Sequence, residues 1–167
     1  MIKVKKLHED AVVPVFAHPT DSGADLFTCE DLQLSPNGKG IAKTGIAIQL
    51  PEGFGATIRN KSGNTINGVN CKVNMQSLSG SFDEIVMKID IQVLLGTIDN
   101  AYRGEVGIMV KNNSSFYVTI PKGTKLAQLV LEQIHQMEFE VVEELDDSDL
   151  GEGGFCSTGN KNKGDLI

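Results

Sequence analysis

Five short segments hold residues equipped for chemistry. The run Gly96-Thr97-Ile98-Asp99-Asn100-Ala101-Tyr102-Arg103-Gly104-Glu105 sets a carboxylate and an aromatic ring three residues apart in a turn bounded by glycines. Lys61-Ser62-Gly63 places a cation, a hydroxyl and a glycine in succession. That order makes a small anion cradle, because glycine lets backbone approach closely while serine and lysine donate. Thr20 to Leu26 carries Asp21 and Asp25 around a Ser22-Gly23 turn that enters a strand. Lys125 to Leu131 is apolar after its lysine except for Gln128, whose amide needs partners wherever it is buried. Gly151 to Gly159 is glycine-rich, yet it holds Phe155, Ser157 and Thr158, an odd set for a plain linker. Each segment alone is equally a turn, a strand or a tail. What matters is their order and combination.

The rest of the composition limits what these segments can act upon. A formal net charge of -7 argues against bulk binding to nucleic-acid phosphates, which takes clustered Lys and Arg. An anionic ligand must then be held locally, by backbone N–H groups, a few cations or a metal. His8, His18 and His135 are scattered without metal-ligand spacing and read as solvated or core residues. Cys29, Cys71 and Cys156 are odd in number and form no C-x-x-C pair, which suits reduced thiols better than disulfides or zinc. No apolar run matches a membrane span, and Met1 to Lys5 lacks the apolar stretch of a secretory signal. The expected setting is cytoplasmic, away from membranes.

The elements that must position the segments are strands. Apolar residues alternate in Ile2-Lys3-Val4, Ile46 to Leu50, Gly107 to Val110 and Phe116 to Ile120. Turn residues punctuate them at Ser35 to Gly38, Pro51 to Gly53, Asn112 to Ser114 and Pro121 to Gly123. The pattern suits an all-β fold, a small distorted β-barrel or jelly-roll. Leu126 to Ile134 fits a helix or a strand equally well. Residues 65–93 alternate on both sides of Ser77 to Ser81, which predicts a β-hairpin with one buried face. From Glu138 the chain turns acidic, as a strand ending in a solvated linker would. The expected organisation is a barrel over residues 1–145, a hairpin at about 65–93 and a C-terminal arm over 146–167.

In their order along the chain, the five segments resemble the five motifs of the deoxyuridine triphosphatase (dUTPase) family. Asp21 to Leu26 is similar to the first motif, Asn60 to Gly63 to the second and Gly96 to Glu105 to the third. Ala127-Gln128-Leu129 is similar to the fourth and Gly151 to Gly159 to the fifth. The resemblance implies a homotrimer with shared active sites that hydrolyses dUTP to dUMP and pyrophosphate. It implies that Asp99 activates the attacking water and that Tyr102 packs beneath the deoxyribose. Gly96, Thr97, Ile98 and Gly107 would form the uracil slot. Lys61, Ser62, Gly63 and Gln128 would meet the phosphates, and Asp25 would reach Mg²⁺ through water. Phe155 would stack on the base when a mobile arm closes, with Ser157 and Thr158 on the terminal phosphate.

The sequence also departs from the family pattern. Lys61 stands where the second motif has Arg, which keeps the charge and loses the planar fork. Leu150 stands where the fifth motif opens with Arg, and Cys156 replaces a glycine. Between Gly63 and Gly96 lie 32 residues, longer than the usual connection of the family. The added hairpin suggests a phage-type member and a second reading, in which a nucleotide-gated module binds a regulatory protein partner at the insert. A dCTP deaminase of the related fold is a third reading, opposed by the intact run from Gly96 to Glu105.

Overall fold

The structure, a computed structural model, describes residues 1–76, 82–149 and 151. The chain divides into two compact units, Met1–His135 and Gln136–Ile167. Among the described residues, the first holds every strand: β1 (Lys3–Lys6), β2 (Gly23–Phe27), β3 (Leu32–Leu34), β4 (Lys39–Gln49), β5 (Phe54–Asn60), β6 (Val69–Gln76), β7 (Phe82–Ile89), β8 (Ile91–Val93), β9 (Gly96–Ile98), β10 (Glu105–Asn112), β11 (Val118–Ile120) and β12 (Lys125–Gln133). One short helix, α1 (Ser62–Asn67), follows β5. The strands form three four-stranded sheets, in the orders β1-β4-β10-β8, β3-β11-β6-β7 and β2-β12-β5-β9, and their named pairings are all antiparallel. The all-β expectation holds, and Leu126 to Ile134 resolves into strand. Among the described residues, no helix is long and apolar enough to cross a membrane.

Alternation builds the core. In β10 the inward residues Val106, Ile108, Val110 and Asn112 are buried while Glu105, Gly107, Met109 and Lys111 are not. Val106, Ile108 and Val110 share one buried cluster with Ile46 and Ile91 of their own sheet and with Leu26, Ile120 and Leu126 of the other two. Cys71 belongs to this cluster, and burial pushes its thiol up to about 11, so it acts as a neutral apolar filler. Asn112 is the polar exception at 0% exposure. Its Nδ2 donates to the carbonyls of Ser35 and Phe116 at 2.9 and 2.8 Å, and its Oδ1 accepts from Ser114 N and Oγ at 3.0 and 2.7 Å. One side chain thus ties together the two turns at the end of β10.

The β4–β10 ladder is irregular where it matters for function. Its register shifts between Glu105, opposite Ala47, and Gly107, opposite Lys43. Gly45 takes up the extra length in the left-handed region, at φ +68. Its N–H, turned out of the ladder, donates to Glu105 Oε1 at 2.8 Å. The bulge thus lies in β4, beside the start of β10 and the third motif.

Two expectations need adjusting. The hairpin expected over 65–93 is shorter, running from Val69 opposite Ile89 to Gln76 opposite Phe82. Thr65 to Asn67 belong to α1, a six-residue helix with no buried residue and so no apolar period to betray it. It is held by Asn64, whose Nδ2 donates to the carbonyls of Lys125 and Leu126 at 3.0 and 3.1 Å. At the other end, Ile91 to Val93 leave the hairpin and pair with β10. The buried face also stops short: Val69, Cys71, Val73 and Ile89 are buried, whereas Met75 and Ile85 are exposed. In the second unit, residues 136–149 and 151 form no helix or strand, and Phe139, Val141 and Leu145 are exposed. Leu150, Phe155, Cys156, Ser157 and Thr158 lie outside the described residues.

Asn112→Ala is expected to cost about 2–4 kcal/mol, because it strands two buried carbonyls as well as deleting the amide. Thermal unfolding followed by circular dichroism checks this; a Tm within 2 °C of wild type, roughly the shift expected per kcal/mol for a domain this size, contradicts it.

Candidate active site

The third motif is arranged around a slot of about 260 Å³. Strand β9 lies antiparallel to β5, with Gly96 opposite Ile58 and Ile98 opposite Ala56. The turn that follows is closed by Tyr102 N donating to Asp99 O at 3.0 Å and by Arg103 Nη1 on the carbonyls of Asn100 and Tyr102. Asn100 anchors the turn from outside, through Nδ2 on the carbonyls of Pro51 and Phe54. These bonds leave the Asp99 carboxylate exposed at the slot, without an ion pair among the described residues.

Tyr102 is 47% exposed, yet its ring is fixed because its hydroxyl donates to Glu105 O at 3.0 Å. A Cβ on Gly104 would sit 2.4 Å from that hydroxyl, and one on Gly107 would sit 2.5 Å from Ile41 Cγ2. Both positions therefore exclude side chains, and the slot keeps backbone on its wall. Gly96, Thr97, Ile98, Asp99, Tyr102 and Gly107, all expected at the site, line it together. Ile41, Met109 and Glu105 join them; only the bulged register of β4 and β10 brings Ile41 there, which no local pattern signals.

The first, second and fourth motifs converge on a separate cleft of about 460 Å³, lined by His18, Asp21, Arg59, Lys61 and Gln128 among others. Register explains the convergence: Gln128 of β12 lies opposite Asp25 of β2 on one side and Arg59 of β5 on the other. Asp25 is 1% exposed. Lys61 Nζ donates to its Oδ1 at 3.2 Å, and Lys125 Nζ lies 2.8 Å from its Oδ2. The Lys125 contact is off the hydrogen-bonding direction, so Oδ2 keeps accepting capacity. Burial works against the charge on Asp25, but the two ammonium groups of Lys125 and Lys61 prevail and hold its carboxyl below the ordinary 3.8. Lys61 thus turns its charge on Asp25. Ser62 and Gly63 open α1 just beyond it. Lys125, at the head of the fourth segment, is a partner the sequence reading missed, as is Arg59.

The slot and the cleft share no lining residue. Ile58 lines the slot and Arg59, the next residue, lines the cleft, and successive strand residues point to opposite faces.

Comparison with known proteins identifies the family. The dUTPase family model matches residues 83–159. The deoxyuridine 5'-triphosphate nucleotidohydrolase of Clostridioides difficile is 37% identical over 160 residues, covering 95% of this chain and 97% of that protein. Among solved structures, the Staphylococcus bacteriophage 80alpha dUTPase with dUPNHPP superposes with a TM-score of 0.76 at 27% identity, covering 95% of this chain and 98% of the other. A variant dUTPase from phage phi11 of S. aureus, in which a structural Mg(II) ion is coordinated, matches at 0.68 and 27% identity over 86% and 97% of the two chains. These relatives place the all-β chain in the class of nucleotide hydrolases. Within it, the chain belongs to the dUTPase family.

Asp25→Asn is expected to lower stability by about 2–3 kcal/mol, since it leaves two partly buried ammonium groups facing each other without a counter-charge. Urea unfolding checks the change, and Lys125→Met in the same background is expected to restore part of it.

Proposed function

We propose that the chain hydrolyses dUTP to dUMP and pyrophosphate, with Asp99 as the base. The observation that carries this reading is the position of Asp99: an exposed carboxylate, unpaired among the described residues, at a glycine-walled slot on a turn braced by Asn100 and Arg103. The carboxylate accepts a proton from water as the water attacks the α-phosphorus, and pyrophosphate leaves in line. Backbone along β9 and around Gly107 reads the uracil edge. Tyr102, fixed by its bond to Glu105 O, lies beneath the deoxyribose and leaves no space for a 2′-hydroxyl. Ser62, Gly63 and Gln128 hold the phosphates. Phe155, Ser157 and Thr158 close over the substrate from the C-terminal arm.

Mg²⁺ suits the phosphates, since it keeps several waters and is held mainly by substrate oxygens. Asp25 is the residue offered to it, and only through water: the carboxylate is buried and neutralised by Lys61 and Lys125, although Oδ2 retains accepting capacity. Among the described residues, no cluster of three His, Cys, Asp or Glu side chains stands ready to cage an ion directly. When bound, the ion neutralises charge on the phosphoryl oxygens.

The active unit is a homotrimer. The slot and cleft of one chain share no lining residue, and in a homotrimer one small substrate meets the slot of one copy and the cleft of another. A cytosolic setting suits the two buried free thiols, Cys29 and Cys71. A second role, as a regulatory module that binds a protein partner, draws support from the β6–β7 hairpin, where Met75, Ile85 and Val86 are exposed beyond the core. The phage 80alpha dUTPase it resembles belongs to a group that controls transfer of virulence genes by a proto-oncogenic G protein-like mechanism.

Pyrophosphate release from dUTP, set against dCTP, dTTP and UTP with and without Mg²⁺, tests the activity. Asp99→Asn is expected to lower kcat by roughly 10²–10⁴-fold with KM within a few-fold. Activity near wild type sinks the role of Asp99. For the shared site, Asp99→Asn and Gln128→Glu chains, each inactive alone, are expected on subunit exchange to recover roughly a quarter of wild-type activity. No recovery, with exchange verified by native mass spectrometry, means that each chain works alone.

A further inference from the structure

The phosphate cleft has a cation that no motif predicts. Arg59 stands directly opposite Gln128 in the β5–β12 register, and both line the cleft. Lys61, the basic residue expected there, commits its ammonium group to buried Asp25 at 3.2 Å. Lys125 makes the same commitment from the far side of that carboxylate. The cleft also contains Asp21, whose carboxylate accepts from His18 N at 2.9 Å.

Arg59 is built differently. Its Nε donates to Thr57 Oγ1 at 3.1 Å and its Nη2 to Glu132 Oε1, while Thr57 Oγ1 also donates to that oxygen at 3.1 Å. The guanidinium is therefore held from one side, and its Nη1 has no partner among the described residues. The side chain is 54% exposed. A planar guanidinium presents paired donors to phosphate oxygens, which a lysine ammonium group does not.

We propose that Arg59 binds the substrate's polyphosphate chain, its guanidinium exchanging Glu132 for phosphate oxygens. This rests on the dUTP reading and adds a contact that reading lacks: Lys61 stabilises Asp25, and Arg59 meets the phosphates.

Binding of dUpNHpp and of dUMP by titration calorimetry tests the assignment, alongside kcat and KM for dUTP. Arg59→Gln is expected to weaken dUpNHpp binding about ten- to hundredfold and dUMP binding far less. Arg59→Lys, which keeps the charge and loses the fork, is expected to fall between wild type and Arg59→Gln, and it serves if Arg59→Gln does not fold. Glu132→Gln breaks the same ion pair yet leaves the guanidinium, so its dUpNHpp affinity is expected to stay at or above wild type. Arg59→Gln affinity within twofold of wild type overturns the proposal. So does Glu132→Gln weakening dUpNHpp as much as Arg59→Gln, because the pair would then be structural only. Wild-type protein that fails to bind dUpNHpp overturns the proposal and the dUTP reading together; wild type that binds and hydrolyses while Arg59→Gln matches it overturns the proposal alone.

Discussion

The buried carboxylate of Asp25 is the constraint around which the cleft beside β2, β12 and β5 is organised. Taking a carboxylate out of water costs several kcal/mol, and an ion pair recovers this only when its geometry is good. Here two ammonium groups share the task, one from the end of β5 and one from the start of β12. The strands must keep their register for both to arrive. That register sets Gln128 between Asp25 and Arg59 and brings three separate stretches of sequence to one cleft. A hydrophobic residue in place of Asp25 would fill the space without demanding this alignment. The charge specifies position more than it adds stability.

The slot depends on a different device, an irregular ladder. Gly45 bulges out of β4, and Glu105 fastens the bulge with its carboxylate while its carbonyl fastens Tyr102. One residue thus links the distortion of the sheet to the placement of the ring. The turn bearing Asp99 is held separately, by Asn100 reaching back to the β4–β5 connection. The ring is thus braced from β10 and the turn from the β4–β5 connection, with Tyr102 N on Asp99 O joining the two.

Much of this was legible in the sequence, for physical reasons that differ by element. Strands such as β10 announce themselves because one face is buried and period two is obligatory. The run from Gly96 to Glu105 was legible because tight backbone approach and chemistry are packed into ten neighbouring residues. Helix α1 was not, since its hold on the fold comes from Asn64 bonding to carbonyls 61 and 62 residues away. The crossing of Ile91 to Val93 into another sheet was equally hidden, because its alternation continues that of the hairpin in phase. Lys61 showed its charge but not its partner, and Arg59 looked like any exposed strand residue. Long-range register decides both, and no local pattern encodes it.

The adjacency of Ile58 and Arg59 has an evolutionary corollary. Because the two residues are neighbours on one strand, deleting a single residue upstream in β5 would send Arg59 toward the slot, and inserting one would send Ile58 toward the cleft. Substitution can retune either face, but a change of length ruins both at once. The hairpin from Val69 to Ile89 has no such restriction, since residues added in matched pairs beyond Val73 and Ile85 lengthen it without disturbing the core. Lineages descended from this chain should therefore vary in length at the hairpin and hold β5 to a fixed count.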